Sequence, residues 1–508
     1  METVEQLLEN LNSWAVGAVV VATGAALWWF QPGQKKYNLP PSPYWTLPLV
    51  GNIFQLMRMK KYSYETFRDL SKTKEYNKLF MIHLGPKPVL VLNHIDVVLE
   101  ALVTKMNDFA GRPKSTQGML MTEGSKDLLF GDYGPVWKFH RKVAYSAMRK
   151  FAFGEKLEGL VQNSVSKSIA EIQKKGDVPI DIRPVIMLLV FNISCGMAYG
   201  KEYAFDDPDF QHFVNITADF VDALGNGLPG DIHPWLHYLP SSRYNKLMTV
   251  KDQVFKFMRE RHAECKENFD PNDPRSITDC MLQAQKEAEE EDKEMKGVLT
   301  DTHIMMGTRD LFGAGNDSIT TMLIQFIAHM IQHPDIQERV HREIDAALGG
   351  AQLPTLSHRS KMVFTEACLC ETLRLGTHLP LSFPVQTTCD TSVAGFDIPK
   401  DTMVLVNMWA IHRDPDFWSD PHSFNPDRFL DDAGNLDHKP PSYLPFSMGR
   451  RVCLGRSVAL SSLMLAIPQL MRQFRFSSPS GEEFKLEFEE SSFARIPKSY
   501  EFLVAART

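Results

Sequence analysis

The sequence predicts a mainly α-helical fold with a small β subdomain, behind one N-terminal transmembrane helix. Helical hydrophobic patterns dominate from about residue 95 to residue 385. Short strand patterns with Gly and Pro punctuation follow from about 385 to 410 and again near the C-terminus. A charge-free stretch lies at residues 14–30. Length alone would suggest about three domains, but chemistry-bearing motifs are spread along the chain, so we expect one large domain behind the anchor.

Composition and charge exclude several classes of protein. The chain has 508 residues, of which 44% are hydrophobic and 23% charged, as in a globular protein with a sizeable core. Its net charge of −7 argues against nucleic acid as a partner. The seven cysteines are an odd number and form no C-x-x-C pair, which indicates a reducing compartment rather than a disulfide framework.

The predicted anchor is the stretch 14–30. Its 17 uncharged residues reach the short end of the length that a spanning helix needs, and Trp28 and Trp29 suit a membrane interface. Acidic residues precede the stretch and Lys35 and Lys36 follow it, so the positive-inside rule places the C-terminal bulk in the cytosol. The alternative is a cleaved signal peptide, but a basic n-region and a convincing small-residue cleavage site are lacking.

A stiff connector follows the anchor. Residues 39–43 read LPPSP and residues 47–52 read LPLVGN, and proline restricts the backbone of such a segment. We therefore divide the chain into a luminal tail with the anchor (1–30), a basic, proline-rich hinge (31–52) and a catalytic domain (53–508). The motifs Asn192-Ile-Ser and Asn215-Ile-Thr match the glycosylation pattern, but cytosolic placement predicts that they stay unmodified.

Two elements of the catalytic domain stand out. Residues 88–92, PVLVL, predict a short strand that has Pro88 as its first residue. Residues 301–332 predict a single helix that ends before His333-Pro334. At 1.5 Å per residue this helix would span roughly 48 Å, enough to cross the domain.

The most informative residue is Cys453, which lies in FSMGRRVCLG, a segment of the form F-x-x-G-x-R-x-C-x-G. A thiolate donates electron density, and a haem iron bound by one is primed to cleave O–O bonds. Gly449 and Gly455 would let the backbone approach the macrocycle and direct N–H groups at the sulfur. Arg451 would pair with a haem propionate, and Phe446 would shield the sulfur. A lone cysteine is usually a small buried apolar residue, but five specified positions in one decapeptide favour a ligand.

With this loop, the chain resembles the cytochrome P450 family of haem-thiolate monooxygenases, from its first residues to nearly its last. Residues 314–319, AGNDSI, are similar to the family's oxygen-activation motif A-G-x-[D/E]-T-[T/S]. The resemblance implies that Gly315 lets the long helix approach the haem, and that Asp317 and Ser318 relay protons to dioxygen. Ser318 stands where the family usually has threonine, so it lacks the methyl group that restricts χ1.

The resemblance also implies a supporting network and cofactor contacts. Glu371 and Arg374 form an E-x-x-R pair, and Arg428 lies in a segment like the family's P-E-R-F; in the family these three side chains form a buried network behind the cysteine loop. Trp137 and Arg141 match the propionate-binding helix. A further propionate ligand, Arg112, is implied by its F-x-G-R-P segment. The expected cofactor is haem b, iron protoporphyrin IX.

One ligand of the family pattern is missing. Related members usually have Pro-His after the E-x-x-R helix, where this chain has Pro384-Val385. His378 lies nearby in sequence, but we do not assign it to the haem.

Electrons must come from a partner, because the sequence has no flavin or NADPH motif. NADPH–cytochrome P450 reductase is the expected donor, with cytochrome b5 as a second candidate. A basic strip on an acidic protein suits docking of an acidic flavoprotein, although ordinary surface charge is the open alternative. The strip comprises Lys138, Lys142, Arg149 and Lys150, and Arg450 and Arg456 flank the cysteine.

The implied function is hydroxylation of a lipophilic substrate at the cytosolic face of the endoplasmic reticulum membrane. Residues 310–315 and 442–446 resemble steroid 17-alpha-hydroxylases, as do Pro234-Trp235 and Leu239-Pro240, which favours a steroid-like substrate. Residues 390–400 are similar to aryl hydrocarbon hydroxylases. Two alternatives stay open: a haem-thiolate isomerase or dehydratase that needs no oxygen, and a non-catalytic haem or lipid carrier.

Overall fold

A computed structural model of the chain describes residues 37–507, apart from 48–49, 60–61, 153, 177, 215, 217–228, 233–240, 292–296, 438–439, 480–483 and 490–492. The predicted anchor at 14–30 lies outside the described residues, as do Pro234-Trp235, Leu239-Pro240 and part of the hinge. Among the helices that are described, none combines the length and the apolar character needed to cross a membrane. The fold is mainly helical with small sheets, as predicted.

The helices account for most of the described chain. In order they are α1 (Ile53–Met57), α2 (Ser63–Ser71), α3 (Ile95–Leu99), α4 (Thr116–Met121), α5 (Pro135–Ala152), α6 (Glu155–Lys175), α7 (Arg183–Tyr199), α8 (Pro229–Ile232), α9 (Ser242–Glu267), α10 (Ile277–Glu291), α11 (Asp301–Gln332), α12 (Pro334–Leu348), α13 (Val363–Gly376), α14 (Met408–Ile411) and α15 (Arg456–Gln473). Short 3₁₀ helices span Leu356–Lys361, Pro426–Phe429 and Gly449–Arg451, and a π-helix spans Glu100–Thr104.

The strands form small sheets beside the helices. They are β1 (Leu79–Leu84), β2 (Lys87–Leu92), β3 (Ile180–Asp181), β4 (Val385–Gln386), β5 (Thr391–Val393), β6 (Phe396–Ile398), β7 (Met403–Val406), β8 (Phe474–Ser477) and β9 (Glu501–Ala506). One sheet has the order β1-β2-β7-β4, a second has β3-β9-β8, and β5 pairs with β6. The two-residue strand β3 was not predicted, because it is too short to carry a periodic signal.

The predicted strand is present as β2, but it begins one residue earlier than expected. Pro88 is its second residue and lies opposite His83 of β1. Parallel pairing with β7 starts only at Val89, opposite Met403, so the missing N–H of Pro88 costs no hydrogen bond to β7. The four residues from Val89 to Leu92 are fully buried, as expected for an inner strand that is covered on both faces.

Helix α11 has the predicted bounds, Asp301–Gln332. A capping box between Thr300 and His303 starts it, and His333 precedes the proline that begins α12. Residues 319–331 are all buried, so this part of the helix has no solvent face. By contrast, Gly313 and Ala314 in its middle are exposed. The long core helix is therefore bare at one point, where it borders an open space.

Asn192 of α7 is unsuited to glycosylation. Its side chain is fully buried. The amide donates to the Tyr203 carbonyl at 3.0 Å and accepts from the Tyr203 N–H at 2.7 Å, so both ends are used in holding the chain that follows α7. The other motif begins at Asn215, outside the described residues.

Candidate active site

Cys453 lies between the 3₁₀ turn Gly449–Arg451 and the start of α15. Its N–H donates to the Phe446 carbonyl at 3.0 Å, which closes the loop on itself. Burial raises the pKa of the Cys453 thiol, whereas hydrogen bonds from the Gly455 and Arg456 backbone N–H groups and the charge of Arg141 act to lower it. The thiol retains accessible surface although protein surrounds it closely. This is the environment expected of a sulfur that faces an internal cleft.

The backbone around the cysteine explains the two glycines differently. A Cβ placed on Gly455 would lie 3.9 Å from the Cys453 sulfur, so Gly455 borders the thiol as expected. Gly449 has a positive φ of +77°, and a Cβ there would lie 2.2 Å from the Leu102 carbonyl oxygen in the π-helix. The close approach at Gly449 is therefore to the Leu102 backbone, which no feature of the sequence indicated.

Three predicted cofactor residues, Arg112, Arg141 and Arg451, converge beside this loop, and backbone carbonyls hold each of them. Arg451 donates to Ala110 O at 2.8 Å and to Gly131 O at 2.7 Å. Arg112 donates to Leu129 O at 2.7 Å and also to Pro384 O. The third guanidinium, on Arg141, donates to Val452 O and so ties α5 to the cysteine loop.

Trp137 organises two of these cations. Its indole N–H donates to Leu128 O at 2.9 Å, which holds the buried ring in place. The Arg451 guanidinium lies 4.0 Å from the centre of the Trp137 ring, and the Arg141 guanidinium lies 5.2 Å from it. The tryptophan predicted as a cofactor residue thus also stacks with its cationic neighbours.

The cluster carries more positive charge than its surroundings neutralise. Burial, Arg451 and Arg141 together hold the pKa of Arg112 well below its usual value, and the partly opposing acid is Asp127. The pKa of Arg451 is lowered to about 10 by burial and by Arg141. A cluster of guanidinium groups such as this one can bind an anionic group through charge-assisted hydrogen bonds. The residues present therefore fit the two carboxylates of a haem.

The predicted proton-relay residues lie in the middle of α11. Ser318 Oγ donates to the Ala314 carbonyl at 2.8 Å, which holds the hydroxyl against its own helix. Asp317 Oδ2 lies 3.3 Å from His378 Nε2, a contact that the sequence did not suggest. A Cβ on Gly315 would lie 3.6 Å from Ser194 Oγ of α7, so Gly315 faces a neighbouring helix while Gly313 and Ala314 provide the bare surface.

The predicted charge network behind the loop is present. The Glu371 carboxylate accepts from Arg374 Nε and Nη2, both at 2.7 Å, and from Arg428 Nε at 3.1 Å. The Asn425 N–H donates to the same carboxylate at 3.0 Å. Arg374 also donates to His412 O at 2.7 Å, so the cation is saturated. The network joins α13 to the segment that leads to the cysteine loop, which makes its role structural.

The structure contains a second buried charge cluster that the sequence did not predict. Asp310 of α11 accepts from the Leu128 and Leu129 N–H groups at 2.8 and 3.0 Å, and Arg309 donates to Asp127 at 3.1 Å. Burial and the neighbouring Asp310 raise the pKa of Asp127 to about 7, and Arg309 partly counters the shift. The cluster fastens α11 to the loop that carries the carbonyl partners of Trp137 and Arg112. Leu128 and Asp310 are 182 positions apart in the sequence, so no local pattern could have revealed the cluster.

The basic strip is exposed along α5. Within the described part of the chain, no ion pair joins its four cations to an acid, and the strip comprises Lys138, Lys142, Arg149 and Lys150. Arg450 and Arg456 beside the cysteine are exposed as well. Because Arg141 of α5 bonds to Val452, the strip and the cysteine loop belong to neighbouring surfaces.

Comparisons with known proteins identify the family to which this fold belongs. The family model described as Cytochrome P450 matches residues 40–504. The chain is 32% identical over 467 residues to steroid 17-alpha-hydroxylase/17,20 lyase of Gallus gallus, covering 91% of this chain and 90% of that protein. It is 33% identical over 455 residues to cytochrome P450 1A1 of Limanda limanda, covering 87% and 86%. A solved zebra fish cytochrome P450 structure with progesterone matches with a TM-score of 0.78 at 32% identity, covering 87% of this chain and 99% of that one.

The fold, the site and these matches define the class of protein, and the chain belongs to the cytochrome P450 family. It is a cytochrome P450 monooxygenase, and members of this family bind haem iron.

Proposed function

We propose that this monooxygenase hydroxylates a lipophilic, steroid-like substrate, with dioxygen as oxidant and with electrons from NADPH–cytochrome P450 reductase. The balanced reaction is RH + O₂ + NADPH + H⁺ → ROH + H₂O + NADP⁺. The observation that carries the proposal is the convergence of three carbonyl-held guanidiniums on the loop of Cys453. This arrangement suits a thiolate-ligated dianionic macrocycle.

Each residue of the site has a proposed role in holding the cofactor. Cys453 is the proposed iron ligand of haem b, and Phe446 shields its sulfur on the loop side. Arg112, Arg141 and Arg451 hold the propionates, and Trp137 fixes the last two of these cations. When bound, the haem supplies the activation of dioxygen.

Protons are the second requirement of the reaction. Asp317 and Ser318 lie next to the bare segment of α11, where a substrate has access. The Ser318 hydroxyl donates to Ala314 O, so its lone pairs stay free to accept a hydrogen bond from the Asp317 side. We assign Asp317 as the proton source and the Ser318 hydroxyl as the relay, which accepts a proton at Oγ as it releases its own proton toward the oxygen being reduced.

The relatives and the surface of the protein support the proposed substrate and partners. Steroid hydroxylases recur among the relatives, and the matched zebra fish structure was solved with progesterone. The exposed strip on α5 offers cations to an acidic flavoprotein, and cytochrome b5 would be a second user of the same surface. Residues 1–30 would anchor the catalytic domain, 53–508, to the endoplasmic reticulum membrane through the hinge, 31–52.

The test is a spectral ligand screen of the purified, haem-loaded protein against steroids and polycyclic aromatics, followed by turnover of each binder with reductase and NADPH. We expect steroids to shift the Soret band and one of them to be hydroxylated. Steroid conversion without reductase or oxygen would instead indicate an isomerase or dehydratase. If steroids bind but reductase produces no NADPH consumption at all, the carrier alternative holds.

A further inference from the structure

His378 contacts the acid that we assign to proton delivery. It is the second residue after α13, and its Nε2 lies 3.3 Å from Asp317 Oδ2 on α11. The two residues belong to different elements and lie far apart in sequence. The contact arises from the packing of these elements, because the sequence around neither residue predicts it.

The backbone on which His378 sits is held rigidly. The preceding residue, Thr377, has a left-handed φ of 38°, and its hydroxyl donates to Arg374 O at 2.6 Å. The His378 carbonyl accepts from the Arg495 N–H at 2.8 Å. Arg374 belongs to the buried charge network, so the base of His378 is anchored to the most constrained part of the fold.

The ring of His378 has one polar contact in the described part of the chain. Its Nδ1 is buried and has no hydrogen-bond partner there, whereas its Nε2 faces Asp317. The side chains of His378 and Asp317 are 17% and 32% exposed, so the pair is shielded but open to the cleft. A ring whose other nitrogen is unused is oriented by this one contact.

We propose that His378 is a positioning residue for Asp317. The contact between its Nε2 and the carboxylate, at 3.3 Å, selects the side-chain rotamer from which Asp317 serves Ser318. An aspartate without such a partner would sample several rotamers within an open cleft, and a close polar contact with an imidazole nitrogen restricts that freedom. The inference rests on the proposed proton relay and adds the group that holds it in place.

The effect should appear in coupling rather than in binding. His378 has no assigned contact with substrate or haem, so its loss should leave KM unchanged. Loss of one polar contact of ordinary strength in a partly exposed site changes an equilibrium by roughly two- to tenfold. We therefore expect the ratio of product to NADPH to fall by about that factor in His378→Phe, with peroxide rising to balance it.

The experiment uses the haem-loaded full chain with reductase, NADPH and progesterone as the probe, and it measures product, peroxide and NADPH together. His378→Phe removes the donor, His378→Asn is too short to reach Asp317, and His378→Gln restores a donor at similar reach. We expect uncoupling in the first two and recovery in His378→Gln. His329→Gln is the matched control, because His329 lies on α11 but bonds to Gln332 at 3.1 Å, far along the helix from Asp317.

Asp317→Asn separates this inference from the relay itself. If Asp317→Asn leaves the ratio of product to NADPH unchanged, the relay is wrong and His378 has nothing to position. If Asp317→Asn uncouples turnover while His378→Phe and His378→Asn do not, the relay stands and the positioning role is overturned. The double variant Asp317→Asn/His378→Phe should match Asp317→Asn alone, and additive losses would show that His378 acts by another route. Should His378→Phe fail to bind haem, the comparison of His378→Asn with His378→Gln decides.

Discussion

The Glu371 carboxylate meets the Arg374 guanidinium through two hydrogen bonds of 2.7 Å, one helical turn apart on α13, and neither side chain has exposed surface. Arg428 shares the same carboxylate. One anion thus balances two cations in a place without solvent. Removing it would leave both cations uncompensated, which costs far more than the pair itself contributes.

Glu371→Gln should therefore destabilise the protein by about 3–5 kcal/mol, the usual cost of breaking a buried ion pair. The measurement is the free energy of unfolding, together with the yield of haem-loaded protein. Asp427→Asn is the matched control, because Asp427 lies beside Arg428 and pairs with Arg339 at 2.8 Å on the surface. We expect that control to change stability by less than about 1 kcal/mol. Equal effects of the two variants would contradict a buried role for Glu371.

Cys453→Ser should remove the strongly red-shifted Soret band of the reduced carbon monoxide complex, because an alcohol does not replace a thiolate as the donor to iron. The measurement is the difference spectrum of reduced protein with and without carbon monoxide. Cys389→Ser, at an exposed cysteine, should keep the band. A normal band in Cys453→Ser would end the ligand assignment.

Ser318→Ala should keep the haem and the substrate affinity but lower the product formed per NADPH by at least about tenfold, because a positioned proton-transfer group contributes roughly 10²–10⁴-fold to its step. Electrons not used for product should appear as peroxide. Ser318→Thr keeps the hydroxyl and adds a χ1 restriction, so its ratio should equal or exceed that of the parent. If Ser318→Ala couples as well as the parent, water or substrate must carry the proton.

Asp127 predicts a pH dependence of stability. Its folded pKa is raised from 3.8 to about 7, so the folded state binds a proton that the unfolded state has lost. This contribution to stability is full below about pH 4 and is lost as the pH rises through about 7. Asp127→Asn should flatten that fall, which amounts to about 4 kcal/mol for a shift of roughly three pKa units. Unfolding free energies of both proteins from pH 4 to pH 8 provide the check, with the exposed Asp432→Asn as control. Parallel curves for parent and Asp127→Asn would refute it.

Deletion of residues 1–30 should release much of the protein from membranes and leave the haem spectrum intact, because no proposed haem contact lies there. Flotation or carbonate extraction of the full chain and the deletion variant gives the measurement. Residual attachment through apolar surface loops is compatible with the prediction. Unchanged integral-membrane behaviour of the deletion variant would contradict a single anchor.

Apolar periodicity with a proline stop predicted the long helix α11, and helical i, i+3 spacing predicted that Glu371 and Arg374 could pair. The buried network that these two residues form with Arg428 was implied by the family resemblance. The sequence could not predict that Asp317 meets His378, or that Asp310 accepts from Leu128. Those contacts depend on how separate elements pack, which no short segment encodes. The anchor lies outside the described residues and stays a prediction.

The close approach of Gly449 to the Leu102 carbonyl also limits which insertions and deletions the π-helix can accept. The obstacle to a side chain at 449 is main chain, so no rotamer change on either side could make room. The backbones of the π-helix Glu100–Thr104 and of the turn before Cys453 therefore pack directly against each other. Adding or deleting one residue within 100–104 would rotate Leu102 away and move the support beneath the cysteine turn. Insertions are commonly tolerated best in surface connections. The π-helix Glu100–Thr104 should therefore tolerate them poorly, although it carries none of the proposed chemistry.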